Sequence, residues 1–397
     1  MPSPSLVLLR TQSDARPVAL AREGHERGPG PAPTSIAQVV VDLEPIREGL
    51  RAAGADALWV HPGVDLRHLT GLTPLALERP TALVVLASGA LRALAPEMLA
   101  PELAEIEGAD VVAWTDGDGP EAAIARVLDG VRRLLVGSSL PTGTAFALRA
   151  AWPGLDLELD PGILPGLRER KRPDELEHLR AAGRLADEAA AWIAEQPLAA
   201  LTERVLAQRL TVRFLQAGAE PYGGYIVATG AHGALPHHVT GDTPIDPSAP
   251  LLCDFGCIVA GYHSDITRVY LPEAASAEVR EALEVVRAAH DAVIAGLEPG
   301  MPAEEADRLA RDVITAAGHG ERFIHRTGHG VGLEIHEPPY LRPGNAEPLQ
   351  AGHVFSVEPG IYLPSRFGVR FENLVHLGPD GPELLNAAPR ELALAPS

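Results

Sequence analysis

Cysteine is nearly absent. The chain holds two in 397 residues, Cys253 and Cys257. On one strand their Cα atoms would stand about 13 Å apart, beyond the reach of a disulfide. They read as small buried apolar residues in a reducing, cytoplasmic setting. Long apolar runs are also missing, which argues against a membrane helix, since one needs roughly 20 such residues. The N-terminal SLVLLR is too short for a secretory signal, and no small-residue cleavage site follows it closely. Cations are scarce: 33 Lys and Arg face 53 Asp and Glu, a net charge of −20. Such a surface repels phosphate backbones and anionic lipid, so neither nucleic acid nor a membrane is an expected partner. Part of the acidic excess has another use, because carboxylates that bind cations have no Lys or Arg partner in the count.

With 46% hydrophobic and 22% charged residues, the composition is that of an ordinary globular protein. Residues 1–36 read as a leader or an arm between subunits, because AREGHERGPGPAPTS is rich in Gly, Pro and charge and has no apolar period. Residues 37–160 alternate helical stretches with short apolar runs such as DALWV and TALVVLA, the rhythm of an α/β domain. The stretch from Pro161 to Lys171 reads as the boundary. Beyond it, 161–397 forms an α+β domain. Pro173 suits the first turn of a helix, and amphipathic helices are expected near 202–217, 276–296 and 303–317. Strand-like runs lie between and after them.

The stretch HRTGHGVGLEIHEPP, 325–339, places three histidines around a glycine-rich turn. It is not a helical zinc motif, because Tyr340 stands where the second ligand of H-E-x-x-H would be, and Pro338 and Pro339 forbid a continuous helix. Asp254 and Asp265 lie on two β-like runs joined near Ala260-Gly261. With an even-length loop they share one sheet face, where two carboxylates need either solvent or a cation between them. Glu358 and Glu372 each sit inside an apolar run, where an unpaired charge is costly to bury. Four carboxylates and His329 exceed the needs of one small cation. They suit two divalent ions with oxygen-rich coordination, Mn²⁺ best, with Co²⁺ or Zn²⁺ as the other candidates.

In their order, DFGCIVAGYHSDITR, TGHGVGLEIHEPP, VEPGIY and GVRFEN resemble the pita-bread metallopeptidases, the creatinase/aminopeptidase fold. LPHH at 235–238 and PGVDLRHLTG at 62–71 narrow the resemblance to the branch of Xaa-Pro dipeptidases (prolidases) and aminopeptidase P. It covers roughly residues 37–390. It implies a C-terminal pita-bread catalytic domain behind a smaller creatinase-like α/β domain, in a homodimer. It implies Asp254, Asp265, His329, Glu358 and Glu372 as metal ligands, with Asp265 and Glu372 bridging and Glu358 also moving protons. It implies that His336 and His237 touch the substrate near the reacting bond and that His325 shapes the proline pocket, while His232 and His238 carry no role. Arg370 and Tyr362 are expected near the substrate's C-terminal side. Arg79, in the loop LTPLALERP, is a second candidate to read a proline carboxylate. The expected activity is hydrolysis of Xaa-Pro dipeptides. Aminopeptidase P activity on longer peptides and a non-catalytic peptide-binding role are the alternatives.

Overall fold

Ile46 and Leu50, four residues apart, give α1 (Glu44–Ala53) one buried stripe, and Gly54 ends it in the left-handed region at φ 63°. The structure, a computed structural model, describes residues 42–75 and 77–393; the leader expected over 1–36 lies outside them. Short runs of four to six residues form β1 (Ala57–Val60), β2 (Ala82–Leu86), β3 (Leu91–Pro96), β4 (Ala109–Trp114), β5 (Arg133–Val136) and β6 (Asp156–Leu159), mostly apolar in all but the last. These make one mixed sheet, ordered β4-β3-β2-β1-β5-β6. Helices α2 (Val64–Thr70), α3 (Ala100–Leu103), α4 (Glu121–Val127) and α5 (Thr142–Ala151) lie between the strands. Successive residues of a strand point to opposite faces, so Trp59 joins one apolar cluster with Val84 and Leu134, and Leu58 joins another with Val85 and Leu135.

The stretch read as a boundary is itself helical. Asp160 accepts the backbone N–H groups of Gly162, Ile163 and Leu164 at 2.8–3.1 Å, which starts α6 (Ile163–Glu169). Pro173 then opens α7 (Pro173–Ala194), whose first turn is closed by Glu175 accepting the Arg172 N–H at 2.7 Å. The three amphipathic segments form α8 (Glu203–Gln216), α9 (Ala277–Gly296) and α10 (Ala303–Ala316).

Strands β7 (Ile226–Thr229), β8 (Leu251–Phe255), β9 (Ile258–Val259), β10 (Tyr262–His263) and β11 (Ile266–Leu271) follow α8. After α10 come β12 (Gly328–Gly330), β13 (Glu337–Leu341), β14 (Val354–Val357), β15 (Gly360–Leu363), β16 (Phe367–Arg370), β17 (Asn373–Gly378), β18 (Gly381–Leu384) and β19 (Leu392–Ala393). One sheet runs β19-β11-β8-β7 and another β13-β12-β14-β17-β18, with β9–β10 and β15–β16 as separate hairpins. The long apolar faces of α9 and α10 pack with Phe355, Val357, Val369 and Val375 in one core. Cys253 and Cys257 are buried and free. Among the described residues no helix is long and apolar enough to cross a membrane.

The β9–β10 turn is the two-residue turn at Ala260-Gly261, both with φ > 0 (49° and 86°), which suits the twist of a tight hairpin. Across β8 and β11, Asp254 pairs with Thr267, so Asp265 is its diagonal neighbour. The two chains cross closely beside that pair: a Cβ on Gly256 would fall 1.8 Å from the Ser264 carbonyl oxygen. Gly256→Ala is expected to push the hairpin apart and cost about 1–3 kcal/mol. Thermal unfolding checks this, and a melting temperature equal to wild type would contradict it.

Candidate active site

The sheets bring five side chains to one place. Asp254 comes from β8, and Asp265 from the residue before β11. His329 is central in β12, Glu358 lies between β14 and β15, and Glu372 between β16 and β17. His329 Nε2 stands 3.3 Å from Glu358 and 3.7 Å from Asp265. Ligand atoms of Asp265, His329 and Glu372 all lie within 4.8 Å of one another. Glu372 and His329 are almost fully buried, 1% and 3% exposed.

Such crowding is costly without cations. Burial first, then the charges of Glu372, Asp254 and Glu358, push the Asp265 carboxyl well above the usual carboxylate range. Glu372 is raised in the same way, by burial and then by Glu358 and Asp254. Burial pushes Glu358 up to about 7, although Arg370 pulls the other way. Four carboxylates and one imidazole are a donor set for hard or borderline divalent ions. The carboxylates outnumber the cations in contact with them, so these residues fit such ions.

Arg370 is the cation in contact. Its guanidinium donates to Asp254 at 2.6 Å, Thr267 at 2.9 Å and the Tyr362 hydroxyl at 2.8 Å. Tyr362 in turn meets His325 Nε2 at 2.8 Å, while His325 Nδ1 lies 2.7 Å from the Arg326 carbonyl. That carbonyl can only accept, so Nδ1 carries the proton and Nε2 accepts from the tyrosine. Burial and Arg370 hold the His325 pKa down to about 3, which keeps it neutral. The expectation that Arg370 reads a substrate carboxylate does not fit this geometry: it is 3% exposed and committed to Asp254. Arg79 does not join the group either. It is bound to Asp116 at 2.9–3.0 Å on the N-terminal sheet's side of the chain, a pairing of residues 37 apart.

His336 is exposed, with its ring 4.1 Å from that of His329. His237 is also exposed, and its imidazole is near enough to depress the pKa of both His325 and His336. His325, His336 and His237 therefore border the carboxylate group. His232 and His238, read as having no role, grip a buried carboxylate. Glu203, fully buried, meets His232 at 2.8 Å and His238 at 2.9 Å, and accepts the N–H groups of Thr229 and Gly241. These are hydrogen-bond lengths, shorter than the 3.3–3.7 Å separations around His329.

Two neighbours escaped the sequence analysis. Tyr222 is half-buried, and the charges of Asp265 and Asp254 add to burial in raising its phenol pKa, so it faces the carboxylates. Arg326 lies over the Tyr340 ring at 4.7 Å, and Tyr340 pairs with His329 across β12 and β13. Residues directly opposite share a sheet face, so Arg326 is on the His329 side. Its charge lowers His329 and His336 and pulls Glu358 down. Its place one residue after His325 was the available signal.

Residues 177–379 match the metallopeptidase family M24, and residues 43–169 match the creatinase/prolidase N-terminal domain. The chain belongs to metallopeptidase family M24. It is similar to the probable dipeptidase PepE of Mycobacterium tuberculosis, 36% identical over 350 residues, 87% of this chain and 93% of that protein. The Xaa-Pro dipeptidase of Lactobacillus delbrueckii subsp. lactis is 32% identical over 370 residues, 90% of this chain and 99% of that one. A crystal structure of prolidase from Thermococcus sibiricus superposes with a TM-score of 0.82 at 35% identity, covering 87% of this chain and 96% of the other. As an M24 enzyme with a creatinase-like N-terminal domain, this metallopeptidase uses divalent metal ions, and the carboxylate–histidine group is where they fit.

The raised carboxyls set the pH dependence. In the metal-free chain Glu358 binds its proton more tightly folded than unfolded. The stability it contributes is full below its ordinary 4.5 and is lost as pH rises through about 7. Bound cations reverse the sign, because they favour the ionised forms. The gain in melting temperature on adding Mn²⁺ should therefore be larger at about pH 8 than at about pH 6. Paired calorimetric scans at each pH measure this, and an equal or smaller gain at the higher pH would contradict it.

Proposed function

We propose that the enzyme hydrolyses Xaa-Pro dipeptides with two divalent ions, Mn²⁺ suiting the oxygen-rich donors best. Asp254, Asp265, His329, Glu358 and Glu372 would hold them, with Asp265 and Glu372 shared. When bound, such ions would acidify a water and draw charge from a carbonyl oxygen. Glu358 takes the proton of the attacking oxygen and returns it to the proline nitrogen as the C–N bond breaks. Ser356 donates to one Glu358 oxygen at 3.2 Å, and no hydrogen bond among the described residues occupies the other. His336 and His237, exposed at the edge of the group, donate to the carbonyl side and the leaving side. His325, locked neutral by Tyr362 and the Arg326 carbonyl, forms a wall of the proline pocket.

The observation that carries this reading is the convergence of three imidazoles on four clustered carboxylates and His329, in a chain similar to two proteins named dipeptidases over about nine-tenths of its length. A dipeptidase must also bind a free carboxylate. With Arg370 and Arg79 engaged elsewhere, Arg326 takes that role, having no ion pair of its own among the described residues. The free buried thiols suit a reducing cytoplasm, while the homodimer rests on the family resemblance alone.

Wild-type enzyme should cleave Xaa-Pro faster than Xaa-Pro-Yaa when kcat/KM is compared with added Mn²⁺. Arg326→Ala should lose about 1.5–3 kcal/mol on the dipeptide, roughly 10- to 150-fold, and less on the tripeptide, whose carboxylate lies one residue further out. Equal losses on both would assign Arg326 to general positioning. A wild-type preference for the tripeptide would replace this reading with aminopeptidase P.

A further inference from the structure

Glu337 follows His336 directly and is only 2% exposed. Its two oxygens are held from two directions. Arg168 donates to Oε2 at 2.6 Å, and Lys171 donates to Oε1. Both cationic side chains are buried, at 6% and 1% exposure. Arg168 also donates to Glu334 at 2.8 Å, and its Nε lies 3.0 Å from Asp65 of α2, at an angle that forms no hydrogen bond. One guanidinium thus grips Glu334 and Glu337, which bracket Ile335 and His336. Gly332 makes room for the pair: a Cβ there would fall 2.3 Å from Glu337 Oε1 and 2.8 Å from Lys171 Nζ. The same glycine's carbonyl oxygen accepts the His263 N–H at 2.9 Å, so the arc from 332 to 337 is tied at both ends.

A buried ion group of this kind is a poor way to gain stability, because apolar side chains of similar volume do as well or better. It is a good way to fix one geometry. We propose that Arg168 and Lys171, acting through Glu337, form a positioning clamp for His336. None of the three touches the substrate. The clamp sets where the exposed imidazole stands relative to the carboxylate group, and through Asp65 the N-terminal part of the chain has a share in it. The inference rests on the reading above only in taking His336 as a substrate contact.

A double-mutant cycle on the metal-loaded enzyme tests it, with Ala-Pro as the probe. Glu337→Gln should lower kcat/KM on the order of 10²-fold with metal content unchanged, the cost of an imidazole misplaced by about 1 Å. In a His336→Ala background the same change should cost no more than about 2-fold, because the residue it acts through is gone. Equal losses in the two backgrounds would overturn the clamp. If Glu337→Gln fails to fold, the charge-balanced Lys171→Met/Glu337→Gln replaces it in the cycle. A second readout needs no activity. Amide hydrogen exchange over 332–337 should speed up in the variant while that of 357–372 stays as in wild type, and unchanged exchange over 332–337 also overturns the proposal. A wild type that cleaves no Xaa-Pro peptide would sink the dipeptidase reading, and the exchange result would still decide the clamp.

Discussion

Four carboxylates are held within reach of one another in the interior, where their mutual repulsion is least screened. Asp265, Glu358 and Glu372 all have raised pKa values, with burial the largest cause in each. The surrounding fold is arranged around that cost. Arg370 sits against Asp254, Thr267 donates to Glu372 at 2.6 Å, and Arg268 donates to the Glu372 carbonyl at 2.6 Å. These contacts fix the side chains and leave most of the negative charge uncompensated. A site built this way is destabilised when empty and stabilised when cations enter, so metal binding and folding are coupled.

The same economy recurs one layer out. Each loop that carries one of the three histidines bordering the carboxylates is tied to a buried acidic side chain. Glu203 accepts N–H groups on both sides of His237, from Thr229 and Gly241. Asp307, buried in α10, accepts from Thr327 N at 3.0 Å and pairs with Arg311, which reaches the His325 carbonyl. Glu337 holds the arc of His336 through Arg168 and Lys171. Imidazoles on loops would otherwise lose the precision that attack on a peptide bond requires. The loops are therefore fixed from beneath, and their upper faces stay open.

How much of this was legible in the sequence depended on the range of the interaction. The helices near 202–217, 276–296 and 303–317 and the Ala260-Gly261 turn appear where periodicity and turn chemistry put them, since both are local. Glu358 and Glu372 stood out because a charge inside an apolar run is locally anomalous, and Asp254 and Asp265 because a tight hairpin sets two carboxylates on one face. The partners of Arg370 and Arg79 were not legible for a different reason. An arginine fork carries no mark of its partner, and Asp254 is 116 residues from Arg370 while Asp116 is 37 from Arg79. Glu203, Asp307 and Glu337 look like ordinary helix or strand residues until their partners are brought to them. The stretch 161–171 falls where the two family matches meet; what the sequence did not reveal is that Asp160 caps a helix there and that Arg168 and Lys171 turn inward.

Everything proposed for the site depends on the five side chains forming one site for two cations. Native mass spectrometry of the Mn²⁺-loaded chain, alongside an Asp265→Asn variant, measures that claim most directly. Two ions per chain in wild type, with both weakened together by the single substitution at the shared ligand, is the predicted result. One ion per chain, or a variant that loses one ion and keeps the other at full affinity, would contradict it.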